Sequence, residues 1–489
     1  MSRFPLLHHL RAQWGTHVPR ELMAGAVATF ALIPEVIAFS FVAGVDPAVG
    51  LFASFVISIV IAFFGGRPAM VSAAAGSVAL VAAPLVHAHG VQYLFAAGVL
   101  AGLVQVVFGL LRLGVLMRFV STSVRTGFVN ALAILIFSAQ LPHLVGANGA
   151  TWAMVALGLA VIYGLPRITT AVPSPLVCIV VVTAAGLWLH LPLKTVADLG
   201  LLPDALPRFA LPAVPWSLET LQLIALPALA IAMVGLLESL MTASVVDDLT
   251  DTPSAKNREC SGLGLANLAA SLFGGIAGCG MIGQTVSNVR YGGRGRLSTL
   301  FAGAFLLVLM VLLKPWVSQV PVAALVAIMV MVSASTFDWA SLRSVVRHPR
   351  LSSAVMLATV AVTVATDNLA AGVAVGVMMS GVFFTFKVAR LLQVHARPMS
   401  PGEDTLVYTV TGQVFFASAD MLVDAFDVRE IEGRPVRIEL DQAHFWDVTA
   451  VAALDKVCQR LRKHGSTVTL RGLNAHSQAL VARLDLGLD

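Results

Sequence analysis

Apolar runs of roughly 17 to 25 residues recur along most of this chain, and each is long enough to cross a ~30 Å hydrocarbon core as a helix. A single buried core would not need them. Of the 489 residues, 58% are hydrophobic and 12% charged, with a mean hydropathy of +0.87, whereas soluble domains carry about 25% charged residues. The chain therefore reads as a polytopic membrane protein. Its first twenty residues hold Arg3, Arg11 and Arg20 but no apolar run, so they form no cleavable signal peptide and read as a cytoplasmic arm. Cys178, Cys260, Cys279 and Cys458 are too scattered for a disulfide framework or a zinc site.

The spans fall at residues 21–43, 47–64, 70–86, 91–111, 120–141, 150–165 and 173–192, and again at 220–245, 260–275, 279–290, 297–314, 319–334, 352–367 and 370–391. Seven plus seven suggests two repeats, 21–192 and 220–391. Basic residues test the count, because Lys and Arg accumulate in cytoplasmic loops. The loops on one side carry nineteen of them, and the other side only Lys194, Arg208 and Lys314. Both termini are then cytoplasmic. The net charge of +5 and pI near 9.2 reflect this topology rather than a nucleic-acid partner. The membrane domain covers 21–392, a polar linker 393–405, and a soluble α/β module 406–489. Within the module, 406–414, 436–440 and 467–470 read as strands and 448–463 as an amphipathic helix.

Two short segments occupy the third span of each half. Phe63-Phe64-Gly65-Gly66 leads through Ser72–Gly76 to Ser77-Val78, and Leu272-Phe273-Gly274-Gly275 leads through Gly278–Gly283 to Thr285-Val286. Each small-residue stretch reads as extended, with a short helix starting at a Ser or Thr N-cap. Interrupted helices at matching places in two halves mark a midplane site of an inverted repeat. Their N-termini suit an anion. Glu35 and Glu238 are the acids well inside spans, where an ionised carboxylate is costly. Glu35 follows Pro34, expected to break the first span. Thr242, four residues after Glu238, shares its helix face, and the pair offers a proton or sodium site. Asp247, Asp248 and Asp251 read as a solvated loop, and His87-x-His89 cannot complete a metal shell. No phosphate-binding glycine loop is present, so ATP on this chain does not drive transport.

These residues resemble the SulP (sulfate permease) anion transporter family over nearly the whole length. The resemblance rests on Leu32–Ser40, Gly44–Pro47, Gly50–Ser54 and Asn257–Asn267 leading into Leu272–Gly275. The tail resembles the STAS domain, with Ile438-Glu439-Leu440 as its central strand and Asp447–Ala450 opening its signature helix. The resemblance implies a mobile core and a scaffold gate, elevator-like alternating access and a homodimer. It also implies substrate near Glu35, Phe39, Ser77 and Thr285, with Glu238 coupling. The substrate-binding candidates are Glu35, Phe39, Gly76, Ser77, Val78, Gly283, Gln284 and Thr285, and the coupling-ion candidates Glu238 and Thr242.

The family usually has Gln where Glu35 stands and often Arg where Gln284 stands, so this site is less positive. A protonated carboxylate would relieve repulsion of an anion, which favours proton coupling. Thr449 and Ala450 replace the family's phosphorylatable Ser and its following Gly, which points the module to a structural or docking role with a cytoplasmic protein. The expected function is proton symport of a carboxylate or dicarboxylate such as fumarate, or of sulfate, with no cofactor and no enzymatic activity. The alternative is sodium-dependent bicarbonate uptake, and an anion channel or sensor stands behind both. A nucleobase permease would share the architecture but lack the tail.

Overall fold

The computed structural model describes residues 13–14, 17–115, 120–169, 173–198, 208–347, 349–398, 404–431 and 433–483. The N-terminal arm lies mostly outside them, and its last three residues already belong to the first helix. The chain divides into two compact units, 1–377 and 378–489.

A helix occupies each of the fourteen expected segments: α1 Val18–Val42, α2 Pro47–Phe64, α3 Gly76–His89, α4 Val91–Leu110, α5 Thr122–Ser138, α6 Gly149–Gly164, α7 Ser174–Trp188, α8 Leu218–Thr250, α9 Lys256–Leu272, α10 Ile282–Arg290, α11 Leu297–Val317, α12 Val322–Thr336, α13 Arg350–Thr366 and α14 Leu369–Ala389. By length and composition, eight described helices could cross a membrane, and four more are shorter and apolar. Capping follows the sequence in places: Ser121 Oγ accepts the Val124 N–H ahead of α5, and Asn148 Oδ1 accepts that of Thr151 ahead of α6.

Helix α9 packs closely along α4. A Cβ on Gly102 would sit 2.7 Å from the Gly264 carbonyl oxygen, and one on Gly264 would sit 2.6 Å from that of Gly102. Small residues on both helices let the backbones approach, the usual solution where surrounding lipid removes any hydrophobic drive between helices. Two three-residue strands lie within this unit. Strand β1 (Ser72–Ala74) pairs antiparallel with β2 (Gly278–Gly280), Ala73 opposite Cys279, and every residue of both is buried.

The sequence expectations need five corrections here. Helix α1 runs unbroken through Pro34, because an internal proline costs one hydrogen bond and a kink that neighbouring helices can absorb. Asp247 and Asp248 belong to the last turn of α8, and Asp247 forms a 3.2 Å ion pair with the buried Arg67. Burial pulls the Arg67 guanidinium below its usual pKa, and Asp247 opposes that pull. Helix α9 starts at Lys256, so cations assigned to a loop lie in its first turn. Neither Ser77 nor Thr285 caps its helix: α3 follows Ala75 and α10 follows Met281, without side-chain caps. The expected linker contains an edge strand.

Backbone groups at the turns are satisfied by buried charge. Glu259 accepts from Gly66 N–H at 2.7 Å and Arg67 N–H at 3.1 Å, and Glu21 from the N–H groups of Arg294, Gly295 and Ser298. Arg296 returns donors to the carbonyls of Ala62 and Gly65 at the end of α2. Each such bond is charge-assisted, and the turns between helices are fixed by it.

The second unit carries a four-stranded sheet in the order β3 (Gln393–Pro398), β4 (Leu406–Val414), β5 (Val436–Phe445), β6 (Val468–Arg471), with helices α15 (Val448–Lys463) and α16 (Ala475–Arg483). The edge pair β3–β4 is antiparallel and the rest parallel. Its core gathers Val410, Ile438, Leu440, Phe445, Leu454 and Leu461. Asp447 caps α15 by accepting the Ala450 N–H at 2.8 Å, and its other oxygen accepts that of Phe416.

Candidate functional site

The β1–β2 pair sets the two short helices pointing away from one buried junction. Ser54 and Ser58 of α2 secure β1, accepting the Ala74 N–H and donating to the Ser72 carbonyl. Asn267 of α9 secures β2 through both the N–H and the carbonyl of Gly278, and also donates to Gln105 of α4 at 2.9 Å. Ser239 of α8 accepts the Gly280 N–H at 2.8 Å. Irregular backbone in this unit is thus paired group by group, which apolar surroundings demand.

A cavity of about 1140 Å³ opens beside the junction. Glu35, Phe39, Gly76, Ser77, Gly283, Gln284 and Glu238 all line it, along with Phe128 and Leu132 of α5 and Ser335 and Thr336 of α12. Phe39 packs its ring on Gly76, where a Cβ would come within 2.6 Å of it. The two acids are held in a crossed pattern. Glu238 on α8 accepts from Ser77 Oγ in the first turn of α3 and from Cys279 Sγ of β2 at 3.0 Å. Glu35 on α1 is hydrogen-bonded by the Gln284 side chain in the first turn of α10. Each half's carboxylate therefore sits on the other half's short helix.

Three expected residues are elsewhere. Val78 is fully buried behind the wall. Thr285 Oγ1 accepts the Val71 N–H at 3.0 Å, so it braces the approach to β1. Thr242 Oγ1 lies 2.9 Å from the Glu238 backbone carbonyl and 3.0 Å from that of Gly280. Its hydroxyl serves the backbone and is not brought to the Glu238 carboxylate. Conversely, Cys279 is a partner that sequence reasoning passed over, since a lone cysteine between two glycines carries no spacing signal.

The cavity reaches from Glu35 and Phe39 to Pro166, Arg290 and Tyr291, next to the turn that carries Arg294 and Arg296. At the other end of α1, Ala38, Phe41 and Val42 close against Gln140, His143 and Val322, leaving only about 40 Å³. The wide opening thus lies at one end and a seal at the other. Among the described residues no group of His, Cys, Asp and Glu could hold a metal ion.

This arrangement of helices, buried cavity and appended α/β module is that of a helical membrane transporter. The chain belongs to the sulfate permease family, whose model matches residues 19–162 and 147–359, and the STAS domain model matches 399–487. It is similar to the putative sulfate transporter YbaR of Bacillus subtilis (strain 168), 50% identical over 477 residues, 97% of this chain and 98% of the relative. It is also similar to the bicarbonate transporter BicA of Picosynechococcus sp. (strain ATCC 27264 / PCC 7002 / PR-6), 27% identical over 80% of this chain and 74% of the relative. The fold matches that of the murine Solute Carrier 26 family member A9 anion transporter with a TM-score of 0.84, at 17% identity over 98% of this chain and 89% of that one. The chain is thus an anion transporter of this family with a C-terminal STAS domain.

Proposed function

We propose that the protein is a proton-coupled symporter that carries a small divalent oxyanion, sulfate or a dicarboxylate such as fumarate, across the cytoplasmic membrane by elevator-type alternating access. The crossed pairing of Glu238 with Ser77 and of Glu35 with Gln284 carries this reading. Two ionised carboxylates beside the short-helix N-termini would repel an anion, while a proton on one of them lets the N–H dipoles hold it. Anion and proton then enter together. Ser77, Gly76, Gly283 and Gln284 frame the substrate, and Glu238 takes the coupling proton.

The antiparallel β1–β2 pair and the crossed acids support two inverted repeats of seven spans. Core helices α1 and α8 with the short helices would move against a gate containing α5 and α12. The excess of Lys and Arg at the open end makes that end cytoplasmic, so this conformation faces inward and both termini lie inside. The homologues' printed functions favour sulfate. A homodimer and a cytoplasmic partner of the STAS domain complete the reading.

The test is uptake of labelled sulfate, fumarate and bicarbonate in proteoliposomes under separately imposed proton and sodium gradients. A pH gradient should drive sulfate or fumarate uptake, and Glu238→Gln should cut driven uptake at least tenfold while sparing anion exchange; uptake indifferent to pH defeats the coupling. The second reading, sodium-dependent bicarbonate uptake, draws on the likeness to BicA. An absolute requirement for external sodium would establish it instead.

A further inference from the structure

A second cavity, of about 540 Å³, adjoins the first and shares Met241 as a wall. Leu240 and Ser244 of α8 line it, with Lys256 and Asn257 in the first turn of α9, Arg125 of α5, and Gly114, Val115 and Val120 between α4 and α5. Both charged residues in this lining are cations. Neither forms an ion pair with an acid among the described residues. Arg125 donates Nη2 to Thr122 Oγ1 at 3.1 Å, and its Nε–H has no described partner. Lys256 Nζ lies 3.2 Å from Ser244 Oγ, whose proton is committed to the Leu240 carbonyl. Asn257 is oriented by its own bond: Oδ1 accepts the Gly114 N–H at 3.1 Å, so the side chain's remaining polar atom is a donor. Helix α9 also begins here without a side-chain cap.

Loop cations in a membrane protein ordinarily mark topology and point to water. That reading explains Lys256 alone, which is exposed. It does not explain why a cavity gathers a guanidinium, an ammonium and an amide turned donor-first, with no carboxylate to balance them. Donors of this kind, converging with the positive end of a helix, match an oxyanion.

We propose that this second cavity binds an oxyanion and acts as a staging site in series with the central cavity, on the cytoplasmic side of Met241. The proposal rests on the central cavity being the substrate site. Its walls come from α8 and α9 on one side and from α5 on the other, so in a core-and-gate transporter its shape would change with each cycle. An anion leaving the central site would be held there before release.

Radiolabelled sulfate binding to the full-length protein in phosphatidylcholine nanodiscs tests this, alongside transport from the cytoplasmic side. Two binding classes are expected. Arg125→Gln with Lys256→Gln should remove one class and raise the cytoplasmic-side KM about tenfold, with kcat little changed. Arg125→Lys with Lys256→Arg should keep that class, which separates lost charge from lost folding. Gly283→Leu should remove only the other, central class. If no class depends on Arg125 and Lys256, the proposal fails. If phosphatidylglycerol instead co-purifies in a manner that depends on these two residues, and sulfate does not bind there, the site holds a lipid headgroup and the staging role is overturned. If one class depends on Arg125 and Lys256 but none depends on Gly283, the central site is at fault and not this one.

Discussion

Gly283 faces open space in the cavity wall, where a Cβ would meet nothing within 4 Å. Gly283→Leu should therefore fold normally yet fill space the anion needs. Uptake should fall at least tenfold while detergent-solubilised protein keeps its melting temperature, and a large drop in melting temperature would show that the position is packed after all. Among the cavity-lining residues, those legible in the sequence are the ones whose chemistry is costly in a membrane, Glu35 and Glu238, and those next to a glycine-rich break. Val78 and Thr285 differ from expectation by phase, whereas Thr242 keeps the expected face of α8 and its hydroxyl is taken by backbone carbonyls. Where an extended stretch turns into helix, a shift of one or two residues in the start rotates each side chain by 100° or more, and nothing in composition sets that start. Cys279 escaped because a buried thiol reads like any small apolar residue until its hydrogen-bond partner is known.

Gly278 shows how little room the paired strands leave. A Cβ there would come within 2.0 Å of the Ala73 carbonyl oxygen, a backbone atom that cannot swing aside. Gly278→Ala should split β1 from β2, at a cost at the upper end of the ~1–3 kcal/mol typical of overpacking, and should abolish uptake; normal transport with an unchanged melting temperature would mean that the pairing is dispensable. In the soluble module, burial pushes the Cys458 thiol up to about 11, with Asp455 adding to the rise. It should resist alkylation at pH 8 until the module unfolds. Because the folded state holds this proton beyond the ordinary value of 9.0, its contribution to stability is intact below that pH and fades as pH climbs toward about 11. Rapid labelling of the folded protein at pH 8 would contradict both statements. Most helices were readable because a bilayer demands long apolar runs. Strand β3 was not, since as an exposed edge with His395, Arg397 and Pro398 it has the polar look of a linker.

Across the membrane unit, the central cavity is wide near Pro166 and Arg290, whereas a separate gap of only about 40 Å³ remains at the opposite end of α1. A disulfide between α1 and α12 at the shut end, from Val42→Cys with Val322→Cys, should hold it closed. Transport should stop on oxidation and return on reduction, whereas binding from the open side should persist. Unimpaired transport in the oxidised protein would argue against alternating closure at this seal. The basic-residue asymmetry gives this arrangement an expected sidedness, but not which end stands open, since that depends on how helices pack in one conformation.

The short strands also bear on how the chain is made. Among the described residues, strand β1 finds its strand partner roughly two hundred residues later, in β2. At ribosomal rates of about 5–20 residues per second, its amides wait about ten to forty seconds in the membrane before a mate emerges. The first half alone would leave β1 without this partner, so nascent chains stalled before Gly278 should be substrates for membrane quality control, and the two halves expressed as separate polypeptides should accumulate only together.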